Sequence, residues 1–210
     1  ILGYSMDKYN LDDINEGRVL FDLYKKTGKE KYKKAIFLLR EQLKNQPRTN
    51  TGNFWHKQIY PNQIWLDGLY MAQVFYVRFQ KEFGEKDYSD TVSQYKNVRR
   101  YMYDTNKKLY YHGMDCSRAA FWADKNTGCS KNFWLRAMGW FCVSLIDNID
   151  YLDDENAKAE LKAIFSETIE GVSQYVDKET GMFRQVIDQG GREGNYLETS
   201  GSSMIAYSMM

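Results

Sequence analysis

Two carboxylates, two imidazoles and one guanidinium sit among aromatic rings in this sequence, and they are the residues best suited to acid–base chemistry. Asp67 stands in Ile64-Trp65-Leu66-Asp67-Gly68, just after the loop-like stretches Gly52-Asn53-Phe54-Trp55-His56-Lys57 and Tyr60-Pro61-Asn62. An aspartate in the first turn of a helix is ordinarily a cap worth about 1 kcal/mol. Here the flanking residues are apolar, and the half-polar rings of Trp65 and His56 fall on the same side. A carboxyl enclosed in that way keeps its proton toward neutral pH and can serve as a general acid. A second acidic pair lies in Asn10-Leu11-Asp12-Asp13-Ile14, where one aspartate caps a helix and the other is left to face the same cleft.

The cation is Arg136, in Asn132-Phe133-Trp134-Leu135-Arg136-Ala137-Met138-Gly139-Trp140. A guanidinium buried in an apolar helix requires a carboxylate. On sequence alone, an internal acid and a ligand carboxylate serve equally well. Trp134 and Trp140, six residues apart, need not share a helix face. The chain has two histidines, His56 and His112, and both fall in long connections, the second in Tyr110-Tyr111-His112-Gly113-Met114-Asp115.

Other chemistries fit less well. The spacing of His112, Cys116 and Cys129 matches no zinc pattern. Gly190-Gly191-Arg192-Glu193-Gly194 follows no strand and so makes no phosphate loop. Ser200-Gly201-Ser202-Ser203 lacks the context of a nucleophile elbow and opens a helix instead. No metal or cofactor is expected.

The elements that must hold these residues are helices. Apolar spacing predicts seven, at about 12–26, 30–46, 63–83, 87–104, 131–151, 154–176 and 199–210. Short connections (Thr27-Gly28-Lys29, Gly84-Glu85-Lys86, Asp153-Asp154) alternate with long ones from Pro47 to Asn62, Thr105 to Ser130 and Asp177 to Glu198. In an up-down array the long ones gather at one end. Residues 64–79 and 133–149 are apolar on every side. Residues 30–46 carry one stripe (Tyr32, Ile36, Leu39, Leu43), and 154–176 carry another (Leu161, Ile164, Phe165, Ile169, Val172, Val176). Buried helices therefore alternate with one-faced helices, which describes an inner layer ringed by an outer one. Segments 101–115 and 174–188, 73 residues apart, share a layout: a helix end, an aspartate-rich tip, an extended aromatic run. Each inner helix begins where a long loop ends, so helix N-termini converge on the loop face and favour an anionic ligand.

With 210 residues the chain makes one sizeable domain. A balance of 29 basic and 28 acidic residues argues against a nucleic-acid partner and gives no attraction to a membrane surface. No apolar run is long enough to span a bilayer. Three cysteines without dense spacing favour a reducing, cytoplasmic compartment. The start at Ile1 and the stop inside a helix at Met210 predict a domain truncated at both ends.

Three long motifs carry a family resemblance: GNFWHKQIYPNQIWLDGLYMA, YYHGMDCSRAAFWADKNTGCSKNFWLRAMGW and QVIDQGGREGNYLETSGSSMIAY. The sequence resembles the unsaturated rhamnogalacturonyl hydrolases of glycoside hydrolase family 105, relatives of the unsaturated glucuronyl hydrolases, from Asn10 to the C-terminus. The resemblance implies an all-α (α/α)6 barrel of helical hairpins, incomplete in this chain. It also implies an unsaturated oligosaccharide substrate left by a pectin lyase, with no cofactor. Carried over by motif, Asp67 takes the place of the proton donor and Asp12 that of a second essential carboxylate. His56, Trp65, His112, Trp134, Arg136 and Trp140 take places in the substrate-binding shell. Met114 departs from the family pattern, standing where tryptophan is usual, and Cys116 replaces a glutamate. On this reading a stacking ring is lost. Two rivals remain: an inverting glycosidase using Asp12 and Asp67, with carboxyls roughly 6.5–9.5 Å apart, and a non-catalytic helical-repeat binding module.

Overall fold

The computed structural model describes residues 3–210. Helices dominate, in the order α1 (Leu11–Asn15), α2 (Arg18–Thr27), α3 (Glu30–Asn45), α4 (Leu66–Phe83), α5 (Ser89–Met102), α6 (Leu135–Tyr151), α7 (Glu155–Ser173) and α8 (Thr199–Met209). Four short strands interrupt them: β1 (Gln63–Trp65), β2 (Tyr103–Asp104), β3 (Leu109–Tyr110) and β4 (Gly113–Asp115). β1 pairs antiparallel with β4, and β2 with β3.

The two-layer arrangement follows from which faces are apolar. In α4 nearly every residue from Leu66 to Gln80 is buried, and α6 is alike from Leu135 to Ile149. Such helices are stable only with neighbours on all sides. α1, α4, α6 and α8 pack in succession as the inner layer, while α3, α5 and α7 lie outside. Phe21, Ile36, Leu39, Phe75 and Phe79 tie α2, α3 and α4 into one core. Phe141, Leu145, Leu161 and Ile164 join α6 to α7 in another. A fully buried Phe such as Phe75 or Phe141 contributes about 2–3 kcal/mol. The result is three α/α hairpins followed by a fourth inner helix, the all-α hairpin architecture expected from the sequence.

Four boundaries differ from expectation. The first helix is not continuous over 12–26: it breaks at Glu16-Gly17, where Gly17 N–H bonds the Ile14 carbonyl at 2.9 Å. A side chain at Gly17 would run into Leu39 and come within 3.0 Å of Phe75, so close approach of α3 and α4 dictates glycine there. Residues 63–65 are strand rather than helix, and 131–134 are irregular, with Trp134 bridging to Val186. Val176, placed in the α7 stripe by spacing, lies beyond the helix end and is exposed. No helix of the described residues is long and apolar enough to cross a membrane.

Candidate active site

Three of the four inner helices, α1, α4 and α6, are latched at their first residue. Leu11 N–H donates to the His56 carbonyl at 3.0 Å, Leu66 N–H to the His112 carbonyl at 3.1 Å, and Leu135 N–H to the Gln185 carbonyl at 2.9 Å. Each acceptor lies in the segment that returns after the next outer helix. His112 and Gln185 are one 73-residue period apart, and the paired positions follow suit: Trp65 faces Gly113, and Trp134 faces Val186. The latch makes Leu11, Leu66 and Leu135 first helical residues, and the next residues are Asp12, Asp67 and Arg136. All three long connections therefore contribute to one end of the array, where α1, α4 and α6 begin.

A cavity of about 380 Å³ opens there, lined by Asp12, His56, Tyr60, Trp65, Asp67, Met71, His112 and Trp134. The two carboxyls in it sit in opposite electrostatic settings. Burial pushes Asp12 upward, but His56 Nε2 at 3.1 Å and Lys57 Nζ at 2.6 Å outweigh it and hold the group down at about 2. Asp67 is displaced the other way. Burial raises it and the Asp12 anion adds to the rise, against the pull of its own backbone N–H, His56 and Arg136. One carboxyl is thus held as an anion while its neighbour's hold on the proton is strengthened. Pairs of titratable groups driven apart in this way divide acid from base roles.

The imidazoles are not on the surface. His56 is buried, its Nδ1 without a hydrogen-bond partner and pressed against Gly68. His112 lies between two indoles, 4.8 Å from Trp65 and 5.2 Å from Trp134 between ring centroids, and its burial lowers it to about 4. It is a neutral ring that can donate or accept a hydrogen bond.

Arg136 is not the buried guanidinium expected: its side chain is 44% exposed. Its Cζ sits 4.4 Å over the Trp134 ring, and one edge lies 3.6 Å from Glu198. The internal carboxylate is therefore a glutamate, and the exposed part of the guanidinium stays open to a ligand. Glu198 went unnoticed in the sequence although it caps α8, taking Gly201 N–H at 3.3 Å and the Ser200 hydroxyl. Its position matches Asn10, Trp65 and Trp134, the residues before the latched leucines, and that register was the available signal. Lys57, Tyr60 and Met71 are further site residues the sequence did not single out.

Trp140 is not brought to this cavity. It packs on Tyr70 at 4.6 Å with Val143 and Met204, between the inner helices. Met114 does not open a gap in the cavity wall either. Alternate strand residues face opposite ways, so Gly113 meets the Trp65 ring while Met114 is buried in the core against Ile64. A tryptophan there would have enlarged the core, which corrects the expected loss of a stacking ring. A larger groove, about 1000 Å³, runs outside between α5 and α7, but its lining holds no histidine.

Comparison with known proteins fits this geometry. The chain is similar over its full length to a family 105 glycoside hydrolase from C. acetobutylicum, with 44% identity and a TM-score of 0.96, covering 59% of that chain. It is 24% identical over 96% of its length to an unsaturated rhamnogalacturonyl hydrolase of Bacillus subtilis, spanning 58% of it. An unsaturated glucuronyl hydrolase of Bacillus sp. GL1 shares the fold at a TM-score of 0.68 with 14% identity, over 97% of this chain and 54% of that one. The chain thus spans less than two thirds of the length of each. The sequence model of one family matches residues 3–210, the whole stretch that builds the latched helices and their mouth, and the chain belongs to glycosyl hydrolase family 88.

Proposed function

We propose that this chain hydrolyses oligosaccharides ending in a 4,5-unsaturated galacturonic acid, the products of pectin (rhamnogalacturonan) lyases, by hydrating the C4–C5 double bond. The observation that carries the reading is the opposite electrostatic settings of Asp12 (ion-paired to His56 and Lys57) and Asp67 (enclosed) on one aromatic-walled cavity. The relatives of family 105 and the B. subtilis rhamnogalacturonyl hydrolase support the substrate class.

In this mechanism the Asp67 carboxyl gives its proton to C4 of the enol ether. Positive charge develops at C5 and the ring oxygen, and the Asp12 carboxylate stabilises it. Water attacks C5 and its proton passes to the Asp67 carboxylate, which is restored. The C5 hemiketal then opens to a ketone, the ring oxygen takes a proton, and the hemiacetal at C1 collapses to an aldehyde and releases the next sugar as an alcohol. One water is consumed per glycosidic bond. Arg136 and the N-termini of α4 and α6 offer positive potential for the uronate, and Trp65 and Trp134 offer faces for the ring.

The test is a pair of substrates. Unsaturated uronyl disaccharide should lose its ultraviolet absorbance on incubation, while the saturated disaccharide should remain intact. Cleavage of the saturated sugar with no preference for the alkene would overturn the reading in favour of an inverting glycosidase, and binding without turnover would favour a binding module.

The contact between Gly68 and His56 gives a sharper prediction. A Cβ at position 68 would stand 2.8 Å from His56 Nδ1, and only the ring can yield. Gly68→Ala should therefore shift the imidazole off Asp12 and lower kcat/KM by roughly 10²-fold. Steady-state kinetics of the variant, beside a thermal melt, checks this.

A further inference from the structure

A separate cavity, of about 420 Å³, lies behind β4 and shares no lining residue with the catalytic one. Gly113 meets the Trp65 ring, so Met114, the next residue along the strand, turns the other way and forms the floor of this cavity with Cys116. Arg100, from the last turn of α5, and Arg118 stand at its rim with Asn50 and Asn126. Both arginines are exposed, and neither forms an ion pair among the described residues.

The carboxylates of the flanking turns are already engaged by backbone donors. Asp115 accepts from Ser117 N–H at 2.9 Å and Ala120 N–H at 2.7 Å, and Asp124 accepts from Asn126 N–H at 2.9 Å and Thr127 N–H at 2.7 Å. Neither aspartate lines the cavity. The same bonds fix the turns that carry Arg118 and Asn126. The opposite wall is tied to α5, where the Thr51 carbonyl accepts from Asn97 Nδ2 at 2.7 Å. Burial raises the Cys116 thiol above its ordinary value, so the floor is neutral and offers the arginines no counter-charge.

Two guanidinium groups without a carboxylate of their own, above a neutral floor and beside two amides, suit an oxyanion. Each guanidinium presents parallel N–H donors that match a carboxylate or a phosphate, and such charge-assisted bonds are roughly twice as strong as neutral ones. The volume is that of a site for a small molecule. We infer that this cavity binds a sugar-sized molecule through a carboxylate or phosphate group held by Arg100 and Arg118, at a site distinct from the catalytic one. Its existence does not depend on which reaction the catalytic cavity performs.

Calorimetric titration of the protein with galacturonate and with galactose 1-phosphate, beside uncharged galactose, tests this. One or both anions should bind and galactose should not, with an affinity that falls as ionic strength rises. The tighter of the two identifies the group the site takes. Arg100→Gln and Arg118→Gln should each weaken binding by roughly tenfold or more. Both side chains are exposed, so neither replacement disturbs the core. Cys116→Glu, which sets a carboxylate on the floor beneath the guanidinium groups, should abolish binding, and Arg136→Gln should leave it unchanged. Failure of both anions to bind, equal binding of galactose, or an affinity that survives both Arg100→Gln and Arg118→Gln overturns the assignment. Binding lost in Arg136→Gln but kept in the other two arginine variants would put the sugar in the catalytic cavity and overturns it equally. Turnover of the unsaturated disaccharide decides the proposed function separately.

Discussion

Asp67→Asn should lower kcat/KM for an unsaturated disaccharide by about 10²–10⁴-fold, the usual contribution of a positioned general acid. The substitution keeps the size of the side chain and removes only its capacity to give and retake a proton. Stability should move the opposite way. The folded-state value of Asp67 is raised, chiefly by burial. Stability gained from its protonated form is therefore present below its unfolded value and lost as pH rises through the folded one. As pH rises above the unfolded-chain value the parent bears a growing cost of ionising a buried carboxyl that the asparagine variant lacks, so the variant should melt no lower than the parent and should gain relative to it with rising pH. Ultraviolet turnover assays and thermal melts at several pH values check both halves. A variant with parental turnover would remove Asp67 from the mechanism.

Asp12→Asn should cost about 10²-fold or more in kcat/KM and also move the alkaline limb of the pH profile. Like charges on neighbouring carboxyls disfavour the second ionisation. The Asp12 anion thus raises Asp67. Removing it should shift the alkaline limb to lower pH. Stability should fall at neutral pH. Asp12 is held down at about 2, against about 3.9 in an unfolded chain, so its contribution is present above the unfolded value and lost as pH falls through the folded one. The side chain is 42% exposed, and after allowance for solvent screening the loss is about 1 kcal/mol. The profile of kcat/KM against pH and a denaturant titration at pH 7 measure the two effects. An alkaline limb that stays in place would mean that the carboxyls do not communicate.

Several parts of this arrangement are legible in the sequence. Residues 64–79 and 133–149 had no polar face, so they had to be inner helices, and both are. The one-sided stripe of 30–46 identified an outer helix, and α3 is one. The 73-residue repeat pointed to equivalent hairpins, and the latches at His112 and Gln185 occupy the same place in two of them. Arg136 was harder. Its helix looked apolar enough to bury it, but it starts at Leu135, so Arg136 lies at the rim and is half open to water. Trp140, about one turn further, is taken by Tyr70 instead of the cavity. Met114 shows the same difficulty at a strand, where its outward or inward aspect depends on the partner chosen by β4.

Residue order alone determined that this chain would make stacked helical hairpins with their long loops at one end, because hydrophobic periodicity and connection length are local quantities. It also determined which carboxyls, imidazoles and indoles would be nearby. Tertiary structure decided where each inner helix starts, through a backbone carbonyl arriving from fifty or so residues downstream to fix Leu11, Leu66 and Leu135. A shift of one residue turns a helix by about 100°, enough to swing a side chain out of the mouth. The same long-range contacts set His56 and Lys57 beside Asp12 and leave Asp67 enclosed, so the division of two chemically identical carboxyls into an anion and an acid is a property of the assembled fold.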